Sequence, residues 1–550
     1  MNRNAPLRLL LVTDGKTIPN WLFKCVEDVK RSGTAKFVLV LQAAFEEDRG
    51  SVRFVQQLRH ALFFLYKHVD RYLFRSFLDA LAPIDLHSGL PNCRVLNGAD
   101  RRDALVGSQR VNTPLARMFQ EERIDVVLDP FALMPDGCLD ELPKYGVWST
   151  TFGQSDDPRT QSTPAFWELI DGRPTTEAGL CVHWKGFDKK RVIYRSVAPT
   201  DRRSLSRSQN HVYWKIAGAL ARKIRLLWED ADAFVETLKA AAPVEGTKRP
   251  ALLPGNPAML RAGTFLVGRY LSDKWVSMLY REQWALAYQY GVGDRPVMGT
   301  FRQLIPPTDR FWADPFPIQV GTDYYIFHEE LRFSTAKGSI VLTVVDDRGN
   351  SAAPTPILEK DYHLSYPFVF QWDGDWFMIP ETGAHHQVEL YRCLNFPSQW
   401  KLERVLLSGL TAWDPTLAFL FGKWWLFASI PAYGAGSWDE LHLFHADSPL
   451  GPWTPHRNNP IKSDVRSARP AGRIFEKHGQ LYRPAQDCSN RYGYAVSINR
   501  ILHLSPESYE EVEVDRIIPD WAPNVAGVHT FNQVGNMTVI DCLVRRRKRW

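Results

Sequence analysis

The chain has 550 residues, 45% of them hydrophobic and 23% charged, and Lys+Arg 67 against Asp+Glu 61 leaves a formal net charge of +6. This is the composition of ordinary globular protein, long enough for two or three domains with a core in each, and it excludes a disordered chain. So small a charge over this length makes no case for a nucleic-acid partner, and none is expected.

In chain order, Leu7–Thr13 is a short apolar run that ends in the turn Asp14-Gly15-Lys16. Helical spacing follows from Pro19 to Val29, then a second apolar run at Phe37–Leu41 and a later one at Ile124–Leu128. Strands alternating with helices predict a parallel, doubly wound sheet over residues 1–200. The turn after the first strand lacks GxGxxG, so a dinucleotide is not expected, and no other cofactor is.

An insert from Phe54 to Leu81 carries apolar residues near helical spacing, interrupted by Arg53, Arg59, Lys67, Arg71 and Arg75. A basic amphipathic helix can lie on an anionic membrane or pack on a neighbouring domain. Packing is the simpler expectation, because the insert has more aromatics than one lipid-facing side needs. Val212–Leu238 predicts another long helix, and Ala240–Pro250 reads as a linker, so 201–256 is taken as helix and linker.

From residue 257 onward the chain repeats itself. Trp312-Ala313-Asp314-Pro315, Ser365-Tyr366-Pro367, Trp413-Asp414-Pro415 and Ala468-Arg469-Pro470 are each followed by a turn and an aromatic strand, such as Asp323–Phe327 or Lys423–Phe427. A period of roughly 50 residues made of short strands and Gly/Asp turns predicts a β-propeller. Trp284–Tyr290 reads as its opening strand and Met537–Asp541 as part of a fifth unit, giving five blades over 257–550. The 19 Trp and 19 Tyr fit packing between blades.

Seven scattered cysteines without CxxC spacing argue against disulfides and zinc and fit a reducing compartment. No run nears the roughly 18 apolar residues of a membrane span, and the first residues lack the apolar core of a signal peptide. The expected location is cytoplasmic. Peripheral contact with the inner membrane face would run through 54–81 or the basic tail Arg545–Arg549.

Within 7–195, Leu142-Pro143-Lys144-Tyr145-Gly146, the helix with Pro164, Trp167 and Gly172, and the strand Glu177–His183 resemble the folate-dependent formyltransferases. The resemblance implies a Rossmann-type formyltransferase-like fold. That chemistry needs an Asn as oxyanion donor, a His for the proton and an Asp to orient it. The matching positions hold Ser149, Thr151 and Asp188, so the activity is not expected. A shifted site using His183 is the alternative.

The repeats resemble the propeller domain of plant glucosamine inositolphosphorylceramide transferases and, more distantly, the arabinanase, levansucrase and invertase superfamily. The resemblance is carried by Phe311–Phe316, Lys337-Gly338, His363–Pro367, Ile379–Thr382, Trp400, Trp413–Pro415 and Arg483–Gly493. It implies a central site for a sugar-phosphate or glycan substrate. Glycosidic chemistry uses two carboxyl groups, one as nucleophile or base and one as acid. Asp314 maps onto the first-blade nucleophile or base, Glu381 is the candidate acid, and Asp414 the tuning or stabilising carboxylate. Asp487 competes for either role, and Tyr366 stands where another Asp is expected.

Arg469 puts a cation on the channel face that suits a phosphate or carboxylate on the ligand. Trp312, His363, Trp413, Arg483 and His529, with His385 and His386, are candidates for the mouth. No metal is assigned, although acidic propeller centres can hold calcium. The favoured function is glycosyl transfer in surface polysaccharide or glycolipid synthesis. The alternatives are a glycoside hydrolase using Asp314 and Glu381, and a non-catalytic sugar-binding scaffold.

Overall fold

The computed structural model describes residues 5–42, 58–91, 93–97, 114–134, 143–153, 163–244, 253–291 and 298–548. Arg53, residues 54–57 of the insert, residues 245–250 of the linker and Arg549 lie outside them. The chain divides into two compact units, Met1–Arg269 with Ala432–Ala435, and Tyr270–Pro431 with Gly436–Trp550.

The first unit is built on a seven-stranded sheet. Its order is Arg94–Asn97, Ala35–Gln42, Leu7–Thr13, Val126–Leu128, Val147–Phe152, Thr175–His183 and Arg191–Pro199. The first five strands run parallel. The last two are antiparallel, so the sheet is mixed and not parallel throughout as the alternating pattern predicts. Periodicity registers burial and carries no information on strand direction. An antiparallel return needs only a short loop, and seven residues suffice between His183 and Arg191.

Leu7–Thr13 is continuously apolar because both faces of the sheet are covered. Leu9 and Leu11 join a core with Trp21, Leu22 and the buried face of Leu205–Glu229. Leu10 and Val12 pack with Met118 and Phe119 on the opposite face. The single helix expected over Val212–Leu238 is two, Leu205–Glu229 and Ala231–Ala240. Asp230 breaks it, and its carboxylate caps the second helix by accepting from the Ala233 N–H at 3.0 Å. The Phe54–Leu81 insert folds as a helix over Ala61–Leu73.

Ser149 and Thr151 sit opposite Cys181 and Gly179 in the antiparallel pair, whereas His183 pairs with Val147 at the far end of the same strands. Asp188 lies in the turn beyond them. These four residues are therefore spread along a ladder and not gathered at one point.

The second unit is a five-bladed propeller. Blades one and two are four-stranded sheets opening with Arg310–Val320 and Ser365–Trp372, and blade three opens with Trp413–Leu420. Blade four comprises Phe475–Lys477, Gln480–Asp487, Ala495–Leu504 and Tyr509–Ile517. Blade five joins Tyr280–Tyr290 to Met537–Arg547, so the opening strand closes the ring. Arg545 and Arg546 of the basic tail belong to that last strand, where they meet Glu282 and Gln283.

In blade four the segment Ala468–Gly472 forms one bridge, Pro470 to Ala485, instead of the expected strand. Pro470 has no N–H to donate. Aromatic side chains pack between blades as their abundance suggests; Phe316 meets Tyr366 edge-on at 4.7 Å and Phe427 meets Tyr509 at 6.0 Å.

A buried ion network ties blade three to blade four. Glu511 accepts from Arg483 Nε at 2.8 Å and Nη2 at 2.6 Å, and from Lys462 Nζ at 2.6 Å. Burial alone would raise the Glu511 carboxyl, but Arg483 and Lys462 outweigh it and hold it at about 2. Its stabilisation is present above the ordinary value of 4.5 and lost as pH falls towards 2. Arg483→Ala should cost about 3–5 kcal/mol in urea denaturation, because it leaves a buried carboxylate short of its main partner.

Candidate functional site at the propeller centre

Three blades present their first strand to the axis with the same backbone device. The ladder skips from Ala313 to Phe316, from Ser365 to Phe368 and from Trp413 to Thr416. Within each skip lies a residue with positive φ: Asp314 at 53°, Tyr366 at 44° and Asp414 at 52°. A non-glycine residue in the left-handed region is strained, and such strain persists only where surrounding contacts hold it. Here the bulge turns three polar side chains to the centre.

The contacts at Asp314 are specific. Its N–H donates to Asp541 Oδ2 at 3.1 Å, and its Oδ1 accepts from the Thr530 hydroxyl at 2.9 Å. His529 stands between two carboxylates, with Nε2 3.2 Å from Asp314 and Nδ1 2.8 Å from Asp541. Burial would lower the imidazole, but Asp541 and Asp314 overcome it and push it up to about 10. Burial likewise opposes the Asp314 charge, and His529, Thr530 and Arg469 outweigh it, so Asp314 is held below its usual value.

Asp414 is paired with Arg469, which donates from Nε at 2.5 Å and Nη2 at 3.1 Å, and it also accepts from Gln486 Nε2 at 2.7 Å. The guanidinium lies between the rings of Trp413 and Tyr492, at 5.5 Å and 5.1 Å. Its Nε and Nη2 donors are directed at Asp414, while the side chain also lines the central cavity. Tyr366 is fully buried; its hydroxyl accepts from the Gly472 N–H at 2.7 Å and meets Thr416 Oγ1 at 2.9 Å.

Two glutamates complete the set from the second strands. Glu329 pairs with Ala313 and Glu381 with Ser365, the same position in successive blades. Both are raised well above the carboxylate range, first by burial. The next cause is Asp314 for Glu329 and Asp414 for Glu381. Glu329 Oε1 and Glu381 Oε2 have no hydrogen-bond partner. His363 accepts the Gly338 N–H on Nδ1 at 3.0 Å, which leaves its ring proton on Nε2, 3.4 Å from Glu329 Oε1. Position 338 admits only glycine, because a Cβ there would stand 2.4 Å from Leu364 O and 2.6 Å from Glu329 Oε1.

A cavity of about 360 Å³ opens over this cluster. Asp314, Glu329, Glu381, Arg469, His363 and His529 line it, walled by Trp284, Trp413, Trp438 and Tyr492. Ionised and protonated carboxyl groups side by side under aromatic rings can bind a sugar and exchange a proton with it.

Of the sequence candidates, Asp314, Glu381, Trp413, Arg469, His363 and His529 thus meet at one cavity, with Asp414 and Tyr366 packed beneath. Five others are held elsewhere. Trp312 donates to Glu330, Arg483 is committed to Glu511, and Asp487 accepts from Arg516 at 2.8 Å. His385 pairs with Glu389 and His386 with Thr411. Glu329 and Asp541 were not singled out as site residues from sequence. Glu329 follows its aromatic strand as Glu381 does, and Asp541 is a lone acid in an apolar strand; both signals were available.

Among the described residues, Asp314, His529 and Asp541 are the group close enough to share a metal ion. A proton and an ion would compete for the same imidazole nitrogens there, and the two carboxylates already favour the proton.

Residues 299–532 match the family model described as glucosamine inositolphosphorylceramide transferase 1, N-terminal. The glucosamine inositolphosphorylceramide transferase 1 of Arabidopsis thaliana is 41% identical over 208 residues, 37% of this chain and 27% of that protein. The protein of the same name from Oryza sativa subsp. japonica is 40% identical over 229 residues, 40% of this chain and 31% of that one. The match therefore spans about a third or less of these relatives' length. Among solved structures, a family 117 glycoside hydrolase of Zobellia galactanivorans aligns at a TM-score of 0.33 and 14% identity, over 47% of this chain and 90% of its own. The Cellvibrio cellulosa α-L-arabinanase complexed with arabinohexaose aligns at 0.31 and 14%, over 44% and 92%.

The raised His529 gives a pH signature. Its stabilisation is fully present below the ordinary 6.5 and is lost as pH rises through about 10. Tm should therefore fall between those limits in differential scanning calorimetry. His529→Asn should flatten that slope while lowering Tm at neutral pH.

Proposed function

We propose that the chain is a carbohydrate-active protein whose propeller centre transfers a glycosyl group, in the synthesis of a cell-surface glycolipid or polysaccharide. One observation carries the reading: Asp314, whose charge His529 favours, shares a cavity walled by aromatic rings with Glu329, whose carboxyl burial pushes well up. Glycosyl chemistry needs that division of labour, an anion facing the developing oxocarbenium and an acid for the leaving oxygen. Asp314 takes the first role. Glu329 takes the second in preference to Glu381, because the charge acting on it most is Asp314, whereas Glu381 faces Asp414 and Arg469.

The relatives named as transferases support transfer over hydrolysis, through the region matched to their N-terminal model. The first unit fits a formyltransferase-like fold that has lost its chemistry: the resemblance calls for an oxyanion-donating Asn where Ser149 stands and a proton-carrying His where Thr151 stands.

Turnover of a panel of nucleotide sugars and oligosaccharides, followed by mass spectrometry, tests this. Glycosyl transfer should fall roughly 100- to 10,000-fold in Asp314→Asn and in Glu329→Gln. Glu381→Gln should fall less. Release of free sugar to water would replace transfer by hydrolysis. Binding without turnover, unchanged in both variants, would leave a sugar-binding module.

A further inference from the structure

Two helices of the chain hold apolar side chains in solvent. In Ala61–Leu73, Phe63 and Tyr66 turn inward against Phe166, while Leu65 is 59% and Tyr72 81% exposed. Phe77, just beyond, is fully exposed. In Asn256–Leu279, Met259 and Ala262 are the buried residues. Leu260 and Val267 are 65% and 58% exposed. Between the helices runs a cleft of about 560 Å³, lined by Leu62, Leu65, Val69, Met259, Leu260 and Val267, with no charged side chain in its wall. Soluble surfaces rarely leave so much contiguous apolar area uncovered.

The charge around it names the occupant. Arg59 and Arg75 flank the first helix, Lys67 lies exposed within it, and Arg261 is exposed on the second. The nearby carboxylates are largely spent. Asp70 is buried and accepts from the Ser206 N–H at 2.7 Å, and Asp79 is paired with Arg71 at 2.7 Å. A second copy docked symmetrically would set this basic rim against itself. An anionic surface would not. No helix among the described residues is long and apolar enough to cross a membrane, so the arrangement suits lying on one.

We propose that this two-helix surface docks on an anionic lipid bilayer. Leu65, Val69, Val267 and their neighbours enter the interfacial layer, Tyr72 sits at headgroup level, and the Arg and Lys rim meets lipid phosphates. This does not depend on the propeller's chemistry.

Flotation of the full chain with phosphatidylcholine vesicles, with and without phosphatidylglycerol, tests it. Binding should require phosphatidylglycerol and weaken as salt is raised. Leu65→Glu with Val267→Glu should reduce it at least about tenfold, and Arg75→Glu with Arg261→Glu by a similar factor, with thermal melts unchanged because these side chains are exposed. Absence of flotation, equal flotation with both vesicles, or variants that still float would overturn the proposal. So would a wild-type dimer in light scattering that Leu65→Glu with Val267→Glu returns to monomer; the surface would then be a contact between copies.

Discussion

One buried carboxylate organises the propeller centre. Asp541 accepts the backbone N–H groups of Asp314, His529 and Thr530 and faces the His529 imidazole. It sits on the last strand, and Asp314 sits in the strained bulge of the first blade. The same oxygens therefore close the ring and fix the bulge that aims Asp314 at the cavity. A charge this deep is costly alone and persists because donors surround it. Stability and site geometry here rest on one set of hydrogen bonds.

The remaining charges follow a rule of local neutrality. Asp414 is matched by Arg469, Glu511 by Arg483 and Lys462, and Asp314 by His529. Glu329 and Glu381 are left without a full partner and respond by holding their protons. The raised glutamates stand among paired ions, so the centre offers groups that can give a proton beside groups that accept one. The tight packing at Gly338 keeps His363 and Glu329 in register with this arrangement.

Much of this was legible in the sequence for a physical reason. Each bulge places a proline directly after the turned-in residue, at Pro315, Pro367 and Pro415. Proline cannot donate to a ladder, so it marks the position where pairing lapses. That made Asp314, Tyr366 and Asp414 visible as equivalents. Glu329 was less visible because second strands carry no such mark. The pairing of Arg469 with Asp414, and of Arg483 with Glu511, joins residues of separate strands that local patterns do not relate. Strand direction in the first sheet was hidden likewise, since burial looks the same in either sense. The helical insert showed its amphipathic spacing, but not which of its apolar residues would find a partner.

The ring closes by joining Tyr280–Tyr290 to Met537–Arg547, and this has a consequence for biosynthesis. Synthesis is vectorial, so the first propeller strand emerges long before its partner on the ribosome. Until the last strand arrives, Tyr280–Tyr290 offers one edge with unpaired backbone groups, rich in aromatic and apolar side chains. Such an edge is a template for pairing with other nascent chains. Completion of the central cavity and concealment of that edge come together, so any nascent chain that has not yet buried its hazard also lacks that cavity.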